Sequence, residues 1–376
     1  MIKKNRIILG ISTIILVGIV TVHLSMPYIK PIDSKVKWEN NAVSDKEQSL
    51  LNFVNSKLIN ENYGIKTNYK EANSEGEITK GASVLSESQG LMLLYYIDRD
   101  RKGEFDEILS YVKNNMILKN GLISWRVENG APNSTSATID DLRMVKALLL
   151  ASERWNDINY RKLAFKISKG IKRELIDNEL LADFNDGYGQ SSKTTLCYLD
   201  LKTFQILANL DKEYKPIYKA SLEVMNNGYI SDKVPLYKKE YDRKSNSYDD
   251  GDVDTLTNSI VLLNRAQAGE DIKMSIDWLK EHYKTDGGIY ASYNKDSGMP
   301  TSKVESTSIY SNLLQVSDEI NDEELYDICK SKLEGYQVID KNNLIYGAYG
   351  DSVSFEVYSF DNLNALLAWR KVHSIT

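Results

Sequence analysis

Two groups of carboxylates in this chain sit where they could move protons. Glu87 lies in Ser86-Glu87-Ser88-Gln89-Gly90, at the start of the apolar run Leu91-Met92-Leu93-Leu94. A carboxyl half-buried at such a helix start is poorly solvated, which disfavours its charged form and raises its pKa. An acid that keeps its proton near neutrality is what general acid catalysis requires. The plainer role is a first-turn Glu that complements the helix dipole. The second group is Asp249, Asp250, Asp252 and Asp254, just before the periodic stretch 255–267. Each alone reads as part of a solvated acidic loop, but Asp254 opens the next helix and would stand at the rim of the same cleft as Glu87. One protonated and one charged carboxylate are the minimum for hydrolysing a glycosidic bond. The acid protonates the leaving oxygen, and the base, about 6.5–9.5 Å away in the inverting case, activates water.

Other segments could hold a sugar. Trp125 and Arg126 in Gly121-Leu122-Ile123-Ser124-Trp125-Arg126 put an indole beside a guanidinium in a short extended piece, suited to stacking on a pyranose face; a core Trp is the alternative. Asp140 and Asp141 follow Thr138, a plausible N-cap, in the first turn of another helix. Capping explains one of these acids better than two. The chain has 24 Tyr against 7 Phe, and phenol rings both pack on sugars and hydrogen-bond at the tip; Tyr188 is a further substrate-binding candidate. The acid cluster at 249–254 lacks EF-hand spacing. With three His and two Cys in all, no Cys/His zinc constellation can be written, no metal site is expected, and no His has a convincing triad context. Cys197 and Cys329 read as two unpaired buried thiols rather than a disulfide framework. The net charge of −6 gives no support for nucleic-acid binding.

Positioning these groups falls to helices. Leu142, Val145, Leu148, Leu149, Ser152 and Trp155 share one face, as do Tyr160, Leu163, Ile167, Ile171 and Leu175, and Ile309, Leu313 and Val316. The periodicity predicts helices near 45–60, 87–99, 104–118, 139–156, 159–176, 194–210, 212–227, 254–267, 271–284, 304–318, 322–335 and 359–373. Twelve helices in six hairpins bury their stripes by closing into an all-α toroid, whose loops at one end of the inner ring line a cleft for a polymer. The absence of a fixed repeat argues against an open superhelix. Ahead of this domain (45–376) lie a polar linker (28–44) and an N-terminal segment (1–27). In that segment Lys3, Lys4 and Arg6 precede an uncharged run from Ile7 to Leu24, long enough to cross a bilayer with the domain outside. An uncleaved transmembrane anchor is favoured over a cleaved signal peptide, because His23-Leu24-Ser25-Met26-Pro27 is a poor cleavage site.

Taken together, the segments resemble glycoside hydrolase family 8 over most of residues 45–373. The resemblance is stronger to the divergent branch of bacterial exopolysaccharide operons than to the family's cellulases. Ser86, Glu87 and Gly90 match the family's acid motif, with Leu91 and Met92 replacing its Tyr and Gly. Leu122 to Arg126 is similar to its Leu-Phe-x-Trp-Lys segment. Ala137-Thr138-Ile139-Asp140-Asp141, Met144, Ala151 and Trp155 resemble its signature, with Ile139 in place of the first Asp. The stretch Ser359 to Leu367 looks like the branch's last helix. The resemblance implies an (α/α)6 barrel and inverting cleavage of a β-linked, β-1,4 glycan such as an exopolysaccharide or biofilm polysaccharide, without cofactor. It implies Glu87 as general acid and Asp254, or secondly Asp252, as base, with Asp141, or Asp140, gripping the sugar beside the cut. Expected partners are the polysaccharide, the cytoplasmic membrane through the N-terminal helix, and a polysaccharide synthase complex. The alternatives are a non-catalytic glycan-binding or export-guiding subunit and, given the scarcity of His less favoured, a toroid lyase or an exo-acting hydrolase on uronides.

Overall fold

The computed structural model describes residues 25–38, 42–70 and 81–372. The apolar run expected to form the anchor, up to Leu24, lies outside them. Among the described residues no helix is long and apolar enough to cross a membrane.

From Asp45 onward twelve α-helices follow one another among the described residues: α1 (Asp45–Phe53, continued by a π turn Val54–Leu58), α2 (Ser86–Asp98), α3 (Lys102–Asn115), α4 (Thr138–Trp155), α5 (Ile158–Glu174), α6 (Leu201–Leu210), α7 (Tyr214–Asn227), α8 (Thr255–Ala268), α9 (Lys273–Asp286), α10 (Thr307–Ile320), α11 (Glu323–Tyr336) and α12 (Ser359–Trp369). The even-numbered helices from α2 to α12 pack in a ring, each on the next, and α12 closes on α2. Burial separates the two layers. Around α12, Ser359 and every residue from Asn362 to Trp369 are buried, whereas α9 buries only Ser275, Ile276 and Leu279. A helix apolar or buried all round belongs inside, and one with a single stripe belongs outside. The expected helix at 194–210 breaks into a 3-10 turn, Leu196–Tyr198, followed by α6. Gly287 ends α9 at φ 84°, a left-handed conformation that favours glycine.

Hydrogen bonds between first turns show that the inner helices start at one rim. Ser86 Oγ donates to Asp140 Oδ2 at 2.5 Å, Ser88 Oγ meets Ser359 Oγ at 2.8 Å, and Ser308 Oγ donates to Asp361 Oδ1 at 2.5 Å. These join α2 to α4, α2 to α12 and α10 to α12. The fourth residue of five inner helices then clamps the backbone of the segment that leads in. Gln89 accepts from Ile65 N at 2.7 Å, Asp141 from Ile123 N at 2.7 Å, Asn258 from Tyr237 N at 2.7 Å, Tyr310 from Ile289 N at 2.9 Å and Asn362 from Tyr349 N at 2.9 Å. In α6 the fourth residue is Phe204, which has no acceptor. Each clamp satisfies a buried N–H that would otherwise be costly to leave unpaired.

Short strands decorate the same rim: β1 (Val84–Leu85), β2 (Arg126–Glu128) and β3 (Ala131–Pro132) form one antiparallel sheet, with Leu85 opposite Arg126. The hairpin of β4 (Ile176–Asp177) and β5 (Leu180–Leu181) follows α5. β6 (Lys193–Thr195), β7 (Glu240–Asp242) and β8 (Ser247–Tyr248) form another sheet, and β9 (Val253–Asp254) pairs with β10 (Ser292–Tyr293). At the opposite mouth, residues 25–38 lie against the barrel rather than free of it. Arg161 Nη1 donates to Tyr28 O (2.8 Å) and Lys30 O (2.7 Å), Ser34 N donates to Glu153 Oε1 (3.1 Å), and the Arg154 guanidinium stacks 4.4 Å from the Trp38 ring. A cavity of about 260 Å³ lies under this segment, among Asp98, Lys202, Asp318 and Lys371. It belongs to the far end of the barrel from Glu87. Both cysteines are buried free thiols.

Candidate active site

Glu87 stands in the first turn of α2 and remains partly exposed, and its carboxyl makes no hydrogen bond or ion pair among the described residues. Burial, then the charges of Asp140 and Asp361, push its pKa up to about 7, while Arg143 opposes them. Three inner helices thus deliver carboxylates to one place: Glu87 from α2, Asp140 from α4 and Asp361 from α12. Asp140 is tied to Ser86 Oγ and paired with Arg143 Nη1 one turn on. The Arg143 side chain lies over Gly90, where a Cβ would sit 2.8 Å from Arg143 Cδ. That contact is a physical reason for glycine three residues after the acid.

Trp125 is brought beside this cluster, since its carbonyl accepts from Ser86 N at 3.0 Å. Its ring is half-exposed, with the Arg126 guanidinium 5.1 Å away and Arg126 Nη2 held by Glu128 at 2.8 Å. Tyr198, in the 3-10 turn before α6, is half-buried. Its hydroxyl pKa is raised by burial and then by Cys197, Asp140, Asp183 and Glu87. Tyr188 is 98% exposed on a turn held by Asp186, and Ser134 Oγ, on the loop leading into α4, donates to Asp186 O at 3.1 Å. It is on the rim and not at the carboxylates.

Asp254 is the N-cap of α8, across the ring from α2. Its Oδ1 accepts from Thr257 N at 3.0 Å and Lys239 Nζ lies 3.2 Å from Oδ2, leaving the side chain 35% exposed. The buried Cys197 thiol links the two sides of the mouth: burial drives its pKa up to about 12, and it feels Asp183, Asp254 and Lys239 together with Arg143. Asp252 is instead pinned to the turn after β10, accepting from Asn294 Nδ2 at 3.1 Å and Lys295 N at 3.2 Å. Beneath the mouth, the cavity walled by Ile139, Arg143, Cys197 and Phe360 holds only about 90 Å³. Ligand pockets commonly measure roughly 300–1,000 Å³, so this cavity is too small to take a sugar chain inside the ring.

Two sequence expectations need correction. Thr138 is not an N-cap. It is the first residue of α4 after Ala137, and its hydroxyl donates to Ala182 O at 2.6 Å. Asp141 does not reach a sugar, because it is fully buried and occupies the clamp position on Ile123 N. The equivalent amides donate to a carbonyl with their second arm, Asn258 to Tyr237 O and Asn362 to Tyr349 O. Among the described residues Asp141 Oδ2 is buried without a well-formed hydrogen bond, and burial holds its pKa well above the usual carboxylate range, opposed by Ile123 N–H and the nearby Ser136 hydroxyl. The group therefore folds best when protonated. The stability it contributes is complete below the unfolded carboxyl pKa and is lost as pH rises toward the folded value. Asp141→Asn is accordingly expected to keep glycan hydrolysis and to raise stability relative to the parent as pH increases, read from urea midpoints between pH 5 and 9. A variant that unfolds more easily at every pH would refute the clamp reading.

Arg143, Tyr198 and Asp361 carry no sequence signal of their own. Asp140–Arg143 is an (i, i+3) pair of a common kind, and Asp361 is one more first-turn acid. Among the described residues no group of three or more His, Cys, Asp or Glu could hold a metal.

The pattern of the glycosyl hydrolases family 8 matches residues 42–181, which hold the Glu87, Trp125 and Asp140 segments. A solved structure titled a novel alpha-amylase from Clostridium perfringens is 47% identical, covers 88% of this chain and 98% of its own, and superposes with a TM-score of 0.85. The endo-beta-1,4-glucanase CMCax from Acetobacter xylinum shares the fold at 13% identity, with coverage of 88% and 98% and a TM-score of 0.63. The putative lipoprotein YdaJ of Bacillus subtilis (strain 168) is 24% identical over 349 residues, 89% of this chain and 91% of that protein. With that pattern spanning the helices that carry Glu87 and Asp140, and a 47% identical relative covering 88% of the chain, the chain belongs to the glycosyl hydrolases of family 8 and is a glycoside hydrolase.

Proposed function

We propose that this enzyme hydrolyses an α-linked glucan with inversion of configuration, Glu87 acting as general acid and Asp254 as general base. One observation carries the reading of the acid. A partly exposed carboxyl with no protein partner among the described residues stands at the barrel mouth, its pKa pushed up to about 7 by burial and by two neighbouring carboxylates. Such a group holds a proton in neutral solution and can give it to a leaving oxygen. Asp254 is partly exposed across the ring, with Lys239 Nζ 3.2 Å from its Oδ2, a placement open to water as a base requires. Trp125 offers a ring face to a sugar, and the Asp140–Arg143 pair can hydrogen-bond its hydroxyls.

The choice of an α-linked glucan rests on the alpha-amylase that is 47% identical to this chain. The β-1,4-linked exopolysaccharide expected from the family resemblance is the competing substrate. The endo-beta-1,4-glucanase supports it less, because at 13% identity it shares only the fold. The test is reducing-end release from amylose, carboxymethylcellulose and xylan, with proton NMR of the first-formed anomer. Turnover of amylose giving the β-anomer first is expected. Turnover of cellulose or xylan alone would move the substrate to the β-linked class; an α-anomer first from amylose, or a β-anomer first from cellulose or xylan, would remove the inverting assignment.

We also place the catalytic domain outside the cytoplasmic membrane, on the charge pattern Lys3, Lys4 and Arg6 before the run Ile7–Leu24. The description of the Bacillus subtilis relative as a putative lipoprotein supports the same side. Partnership with a synthase complex rests on the exopolysaccharide reading. Protease added to intact cells should degrade the domain; full protection would refute the placement.

A further inference from the structure

The geometry points to Asp361 as a positioning residue that sets the upper pH limit of the enzyme through its charge on Glu87, without touching the substrate. The inference rests on the reading of Glu87 as the general acid.

Asp361 and Glu87 come from neighbouring first turns. Ser88 Oγ and Ser359 Oγ, 2.8 Å apart, lock the start of α2 to the start of α12; Glu87 immediately precedes the first of these serines and Asp361 lies two residues after the second. Ser308 on α10 donates to Asp361 Oδ1 at 2.5 Å and fixes the carboxyl from behind. What distinguishes Asp361 from Asp140 is compensation. Asp140 is paired with Arg143, so much of its field is cancelled. Asp361 has no cationic partner among the described residues, although its site is largely desolvated. Burial raises its own pKa, opposed by Ser308. Where Asp361 ionises, it does so without a counter-ion at hand and repels a second negative charge nearby, which keeps a proton on Glu87.

Other groups face this pair. Among the described residues the segment that bridges to Val84 and Tyr358 brings Lys66, half-buried, and Lys70, exposed. From α4 come Asp140 and Arg143, and from the turn before α6 comes Tyr198. On β2, Arg126 is engaged by Glu128. On α3, Lys102, Asp106, Glu107 and Lys113 are exposed and Glu104 pairs with Arg101. Lys57 on the π turn is exposed, and Glu47 on α1 is held by Arg99 at the other end of α2. Just before α10, Glu305 is held by Lys332, Tyr310 and Tyr336. Asp361 is therefore the one carboxylate facing Glu87 among these groups whose charge is not balanced by a neighbour.

The experiment is the pH profile of kcat/KM, from pH 4 to 10, on whichever glycan the wild-type enzyme turns over. Asp361→Asn should move the alkaline limb down by about half a pH unit or more, leave activity at acid pH within a few-fold of the parent, and be reversed by Asp361→Glu. Ser308→Ala should shift the limb the same way, because losing that hydrogen bond favours the neutral form of Asp361. It also provides the test if Asp361→Asn folds poorly. Activity that falls evenly at all pH values, with the limb unmoved in both variants, would show a merely structural role and overturn the proposal. Full activity in Glu87→Gln would instead overturn the acid assignment, and with it this inference.

Discussion

Replacing Glu87 by Gln is expected to leave a folded protein whose hydrolysis of its glycan is reduced by about 10²–10⁴-fold, the usual worth of a positioned general acid. The fold should survive because the carboxyl makes no hydrogen bond among the described residues, and the amide has the same shape without the desolvated charge. The loss should appear in kcat more than in KM, since the proton is transferred in the transition state and not on binding. In the parent enzyme kcat/KM should fall as pH rises through about 7, where Glu87 surrenders its proton. Asp254→Asn should lose activity on a similar scale at every pH, and Asp252→Asn should not, because Asp252 is committed to the turn at Asn294 and Lys295. Full reducing-sugar release by Glu87→Gln would end the assignment of the acid. A drop in Asp252→Asn with none in Asp254→Asn would transfer the role of base.

The largest effect on stability should come from Arg99→Met. Glu47 and Arg99 form an ion pair whose side chains are 0% and 6% exposed. Arg99 Nε donates to Glu47 Oε1 at 2.6 Å, and Tyr95 OH donates to the same oxygen at 2.7 Å. The pair joins α1 to the last turn of α2, the inner helix that carries Glu87. Removing the guanidinium strands a buried carboxylate, at a cost of about 3–5 kcal/mol. Replacing both partners, as in Glu47→Leu with Arg99→Met, should recover much of that loss, because two apolar groups leave no charge to solvate. Urea unfolding of the single and double variants measures both numbers. A single variant within about 1 kcal/mol of the parent would mean that water or another group reaches Glu47.

Helical periodicity is a local property, and it was enough to predict twelve helices whose faces are buried as expected. Ile309, Leu313 and Val316 are fully buried on α10, and Ile167 and Ile171 on α5. The helix expected at 194–210 was the imperfect case. There the apolar spacing runs on through Leu199, while the backbone leaves helical geometry after Tyr198 and Asp200 caps a new helix through Thr203 N. The fivefold clamp is a structural repeat that no sequence period betrays, because Gln, Asp, Asn, Tyr and Asn perform it in turn. What matters is an acceptor at the fourth helical position, not one residue type.

From the sequence alone came the all-helical class, Glu87 at the head of an apolar helix, Asp254 as the opener of a later one, and Trp125 beside Arg126 as a sugar-stacking candidate. Each follows from composition and spacing over a few turns of chain. Only the tertiary structure decided which acids meet. Asp140 faces the mouth while its neighbour Asp141 turns into the wall, since adjacent helical residues point about 100° apart and the ring admits one of them. It also brought Asp361 to Glu87 across 274 positions of sequence, a proximity that depends on the last helix closing against the first inner one. The proton on Glu87 depends on charges contributed by α4 and α12, and that field exists only once the ring is complete.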